Sequence, residues 1–242
     1  MNTERSVLVI QGLEIEVLRK NIKNLHLGVY PPDGRVRVSA PCHLDDETIS
    51  LAVISRLGWI RRHQKRFAEQ ERESQREMVT GESHYFAGRR YRLDVIVRSG
   101  RPKVRIRNSA IIELIVPPEA DRDAREQVLE HWYRTQLRRR IPPLLEKWQP
   151  VIGVNVNEVR IRKMKTLWGS CNIEARRIWL NLELMKKSPR CLEYILVHEM
   201  VHLLERCHNE RFHALMDRFL PDWPLRRDEL NRAPLAYCDW DY

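Results

Sequence analysis

His198-Glu199-Met200-Val201-His202, with His208 six residues further on, constrains this chain more than any other segment. Residues four apart lie one turn apart on the same face of an α-helix, so His198 and His202 can grip one ion only if the segment is helical. Glu199, beside the first imidazole, then reaches towards that ion without ligating it. Nine histidines in 242 residues give the H-E-x-x-H pattern by chance only about 0.03 times per chain. The flanks ask for a helix as well. Ser188 suits an N-cap and Pro189 a first-turn position. Leu192, Ile195, Leu196, Leu203 and Leu204 make an apolar stripe at helical spacing. Two histidines and a glutamate beside such a stripe are costly to bury unless a metal and hydrogen bonds satisfy them.

The third ligand is open among four residues. Asn209 is a good N-cap for a second helix over 210–219, with Phe212, Leu215, Met216 and Phe219 as its buried face. His208 then falls on the turn between the helices and can swing back towards the ion. Cys207 competes, because zinc binds thiolate well; His213 and Glu210 would have to point back from within the second helix. A Zn2+ held by His198, His202 and His208, one per chain, keeps a fourth position for water, and Glu199 is placed to act as general base. This is the arrangement of zinc-dependent peptidases, so the expected substrate is a peptide or protein.

The surroundings narrow the reading. Upstream stand Lys165-Thr166-Leu167-Trp168-Gly169-Ser170-Cys171, then Ile178-Trp179-Leu180-Asn181-Leu182, then Tyr194; downstream come Phe212 and Leu220-Pro221-Asp222-Trp223. With Gly34 to Pro41, Trp59-Ile60-Arg61 and Phe86 to Leu93, the chain resembles the YgjP-like metallopeptidase family over nearly its whole length. That family is similar to the wider zincin group, including SprT-like proteases. Metzincins share the ligand spacing but need glycine where Glu205 stands, and Met216 lies in a helical pattern rather than a Met-turn. The resemblance implies an edge strand beside the metal that pairs with extended substrate, around Trp168-Gly169-Ser170-Cys171 or Ile178–Leu182. Gly169 would permit close backbone approach. Asn181 or Tyr194 could assist the oxyanion, Tyr194 more readily from behind the site, and a Cys171 thiolate could keep the enzyme latent.

No run of 18 apolar residues marks a membrane span, and Met1-Asn2-Thr3-Glu4-Arg5 does not read as a signal peptide. Five scattered cysteines (42, 171, 191, 207, 238) without a C-x-x-C pair fit a reduced, cytoplasmic setting. The net charge of +10 is carried by arginine-rich clusters: Arg61-Arg62, Lys65-Arg66, Arg89 to Arg92, Arg98 to Arg107 and Arg138 to Arg140. They are either solvated faces, some paired with Glu69, Glu71, Glu73 and Glu77, or a surface for weak nucleic-acid contact.

Periodicity suggests hairpin strands at 6–10, 13–18, 25–30 and 35–39, around Pro31-Pro32-Asp33-Gly34, then one helix over 45–78. Residues 90–97 and 103–107 read as a hairpin, 111–116 as a strand, and 121–145 as a helix that Pro142-Pro143 breaks or kinks. Strands at 159–162 and 178–182 lead into the metal helix, and no internal repeat is visible. The expectation is an α+β protein: a β-rich N-terminal domain with one helix, residues 1–117, and a zincin-like catalytic domain, residues 118–242, divided at Pro117-Pro118. Two other functions fit the same motif. One is a DNA-associated protease of SprT-like type; the other is a non-catalytic binding module that keeps zinc as a structural ion.

Overall fold

The computed structural model describes residues 4–30, 34–69, 76–164 and 167–232. Pro31-Pro32-Asp33, Lys165-Thr166, Glu71, Glu73, Cys238 and the side chains of Arg66 and Glu69 lie outside the described residues. The chain is α+β and divides into two compact units between Glu71 and Arg72.

In the first unit, β1 (Glu4–Ile10), β2 (Leu13–Lys20), β3 (His26–Tyr30) and β4 (Arg35–Pro41) form a sheet in the order β1-β2-β4-β3. The outer pairs are antiparallel and β2/β4 is parallel. Gln11 and Gly12, at φ 48° and 78°, make the two-residue turn whose twist matches a β-hairpin. Alternation buries Ile15, Val17, Val36, Val38 and Ala40 against Ile49, Val53 and Ile60 of two helices, α1 (Asp46–Ile54) and α2 (Leu57–Glu69). The single helix expected over 45–78 is therefore two. Ser55 and Arg56 close α1 with tight backbone bonds, Arg56 N–H to the Val53 carbonyl at 3.0 Å among them, and Gly58 is a poor helix former at the restart. Glu77 and Met78 are not helical either. Their amides donate to the Glu82 carboxylate at 2.7 and 3.0 Å.

The second unit repeats this plan. β5 (Ser83–Phe86), β6 (Arg89–Val97), β7 (Lys103–Arg107) and β8 (Ile111–Val116) lie in the order β5-β6-β8-β7, again with the central pair parallel. Adding 76 to a residue number in the first sheet finds its counterpart: Gly12 and Gly88 in equivalent turns, Pro41 and Pro117, and the helix caps Asp45 and Asp121. The repeat was invisible in sequence because buried strand positions ask only for apolar character. Val17 answers to Leu93, Val36 to Ile112 and Val38 to Leu114. For the same reason residues 90–97 and 103–107 are not hairpin partners; β8 inserts between them.

Helix α3 (Arg122–Ile152) runs through Pro142, Pro143 and Pro150 to a left-handed Gly153. The carbonyls that Pro142 and Pro143 deprive of a donor belong to exposed Arg138 and Arg139, where water can serve them. A second sheet follows, β9 (Glu158–Arg162), β10 (Gly169–Asn172) and β11 (Arg177–Asn181), ordered β10-β11-β9. After a 3-10 turn at Leu182–Lys186 come α4 (Pro189–Val201), α5 (Glu210–Phe219) and α6 (Trp223–Arg232). Leu93, Ile112 and Leu114 share one core with Leu137, Leu180, Leu196 and Met200. The division therefore falls at Glu71/Arg72 and not at Pro117-Pro118, since the second set of strands shares its core with the helices that follow. No described helix is long and apolar enough to cross a membrane.

Candidate metal centre

Ser188 has the extended backbone of an N-cap and Pro189 opens α4, although the Ser188 hydroxyl turns to Cys191 Sγ at 3.4 Å instead of capping. The helix buries Leu192, Ile195 and Leu196 as the spacing predicts. It ends at Val201, earlier than the stripe suggests, so Leu203 and Leu204 lie in the following turn. There their amides donate to the carbonyls of Met200 at 3.0 Å and Val201 at 2.9 Å. His198 and Glu199 thus occupy the last turn and His202 the C-cap. Glu205 closes the turn through its amide to Val201 O at 3.0 Å, and residues 202–209 include no left-handed backbone. Glycine is not needed where Glu205 stands.

Asn209 caps α5, its Oδ1 accepting from the Phe212 amide at 2.9 Å. The cap holds His208 just ahead of α5, with its Nε2 3.0 Å from that of His198 and 3.1 Å from that of His202. The ligand atoms of the three histidines lie within 4.8 Å of one another, a group that could hold a metal ion. Cys207, His213 and Glu210 are exposed and outside that group. His202 Nδ1 lies 3.0 Å from the Glu205 carbonyl, which fixes the tautomer with a lone pair on Nε2. His198 Nδ1 is buried with no hydrogen-bond partner among the described residues, and burial pushes the His198 pKa down to about 3. Three imidazole Nε2 atoms turned to one point suit a cation.

Glu199 is 5% exposed. Burial pushes its pKa up to about 8, and a nearby cation would pull that value back down. Gly169 on β10 makes the space for it. A Cβ at residue 169 would come within 2.6 Å of Glu199 Oε1 and 2.8 Å of its Cγ. The close approach expected of Gly169 is thus to the carboxylate of Glu199. β10 pairs with β11 alone, so its outer edge meets no other described strand, whereas Ile178–Asn181 in β11 is central.

The other sequence candidates have separable positions. Asn181 is buried and fully used: its amide nitrogen donates to the carbonyls of Met164 and Leu167, both at 2.8 Å, and its oxygen accepts from the Glu183 amide at 3.1 Å. It staples the loop before β10 and has nothing left for an oxyanion. Tyr194 is buried, edge-on to His198 at 5.9 Å and stacked on Trp223 at 6.4 Å, with burial pushing its hydroxyl up to about 12. That is a packing position behind the first ligand. Trp168 packs at the core margin with Lys187 Nζ 5.8 Å from its ring centre. Ser170 lies opposite Trp179 in the register. Burial, with Glu199 adding, pushes the Cys171 thiol up to about 11, and its sulfur is outside the histidine group.

Sequence reasoning placed Phe212 in a buried face and among the residues of the family resemblance, without a role at the imidazoles. Its ring centre lies 4.9, 4.7 and 4.8 Å from those of His198, His202 and His208, so it is the floor on which all three imidazoles pack. Its position four residues after His208 is the one signal that pointed there.

This metal-binding geometry agrees with the comparisons. The model of the YgjP-like metallopeptidase domain matches residues 23–233, and the chain belongs to that family. A metallopeptidase zymogen of Pyrococcus abyssi, abylysin, aligns at 24% identity over 36% of this chain and 89% of its own, with a TM-score of 0.34. That score is too low to bear on the fold. No curated protein matches.

Proposed function

We propose that this metallopeptidase is zinc-dependent and that Glu199 is its general base. The observation that carries the reading is the convergence of three Nε2 atoms one residue away from a buried carboxylate. Tetrahedral zinc with bonds of about 2.0–2.1 Å sets its nitrogens roughly 3.3 Å apart, close to the 3.0 and 3.1 Å found here. His198, His202 and His208 would hold the ion, which supplies Lewis acidity and makes a neighbouring water acidic. Glu199 takes the proton of the attacking water and passes it to the leaving amine nitrogen. Gly169 keeps the room in which that carboxylate turns. The free edge of β10 aligns an extended peptide by main-chain hydrogen bonds, leaving side-chain selection to what flanks the strand. The low-dielectric setting that raises Glu199 also keeps bulk water from competing for its proton.

Glu199→Gln separates the roles, because it removes the base and keeps the shape. Cleavage of a peptide library should fall by about 10²–10⁴-fold with metal content unchanged. A variant as active as wild type would refute Glu199 as the base.

A further inference from the structure

The outer face of the β5-β6-β8-β7 sheet carries a second, unused pattern. Residues directly opposite in register share a face. Arg92 stands opposite Ile111 and Ile111 opposite Arg107; Asp94 stands opposite Glu113 and Glu113 opposite Arg105; Ile115 stands opposite Lys103. With Arg90, two residues before Arg92 on β6, five cations therefore project from one face that holds two carboxylates. All five are exposed. They form two rows, one on β6 and one on β7, separated by β8, so the rows are about 9.6 Å apart and their members step by about 6.7 Å.

The acids on this face hold the arginines in place. Glu113 is 1% exposed and accepts from Arg105, while Arg107 reaches Glu113 at 3.1 Å and Asp94 at 3.4 Å. Two guanidiniums are thereby laid down on the sheet with donors to spare, and little rotamer freedom remains to lose on binding. Arg90, Arg92 and Lys103 form no ion pair with the described residues. Half-buried Ile111 and Ile115 make an apolar floor between the rows.

We infer that this face binds single-stranded nucleic acid through its phosphate backbone. A regular row of cations matches a regularly charged chain better than the irregular acids of a peptide. An exposed sheet face suits an extended single strand, as in other sheet platforms, whereas duplex grooves admit a helix or a narrow ribbon. Contacts made to phosphates carry no base preference. The inference is independent of the metal site.

The test is fluorescence anisotropy of the full chain with a labelled oligo-dT of about 20 nucleotides, titrated with salt. The variant R90E/R92E/K103E spares both partners of Glu113, and an unchanged melting temperature and metal content would show that it folds. Wild type should bind at low salt, and the variant at least about 10-fold more weakly, with its log–log salt slope smaller by about two. Absence of wild-type binding at low salt, or equal binding by the folded variant, would overturn the inference. So would tighter binding of a matched duplex or of poly-glutamate, the latter assigning the face to an acidic protein.

Discussion

At the scale of single residues, the site turns on a buried carboxylate whose pKa burial raises and a bound cation would lower. The pKa of Glu199 is raised from 4.5 to about 8, so between those values the metal-free native state binds more protons than the unfolded chain. Stability then falls as pH rises across that window. Metal-stripped Glu199→Gln should therefore melt above stripped wild type at pH 8, with the gap closing towards pH 4.5. A gap that widens on acidification would contradict the burial of Glu199. Gly169→Ala addresses the same carboxylate from the strand side. Its Cβ would crowd Glu199, so kcat should drop by at least about 10-fold with metal retained, within the range a general base contributes. His198, Glu199 and His202 were legible in the sequence because helical spacing alone brings them together. The roles of Gly169 and Phe212 were not, since each acts on a neighbour that only the fold supplies.

Elements set what those residues can do. α4 stops at His202, the chain turns through Glu205, and the Asn209 cap restarts it, so the third imidazole depends on a helix N-terminus. Asn209→Ala should cost about 1 kcal/mol in stability and also weaken metal binding. Phe212→Ala removes the floor beneath all three rings and should lower metal affinity by about 10–100-fold, as other outer contacts to metal ligands do. Isothermal titration of stripped protein measures both, and affinities equal to wild type would show that the imidazoles need no such support. Capping residues and periodicity made α4 and α5 readable before the structure. Strand pairing was harder, because apolar alternation names a strand without naming its neighbour. That is why β6 and β7 look like a hairpin in sequence. The break between α1 and α2 was missed for another reason, since Ile49, Val53, Leu57 and Ile60 keep helical spacing across it.

For the whole molecule, two hydrophobic cores lie in two units, and the histidines belong to the second. Calorimetry should resolve a metal-sensitive transition and a metal-insensitive one. A ligand at 100 times its Kd raises the former by about 2.7 kcal/mol; equal shifts of both would mean that the units unfold together. The duplicated β-sheet plan explains why Pro117-Pro118 misleads as a boundary. Its counterpart Pro41 also ends a sheet before a capped helix, so the proline marks the end of a repeat within a unit. The central claim is that three histidines hold one zinc, and elemental analysis tests it most directly. Protein purified without chelator or metal-affinity tag should carry one zinc per chain, and His202→Ala and His208→Ala should each lose it. Full zinc in His208→Ala would contradict the three-histidine site, and wild type that takes up no metal on added zinc would contradict zinc catalysis altogether.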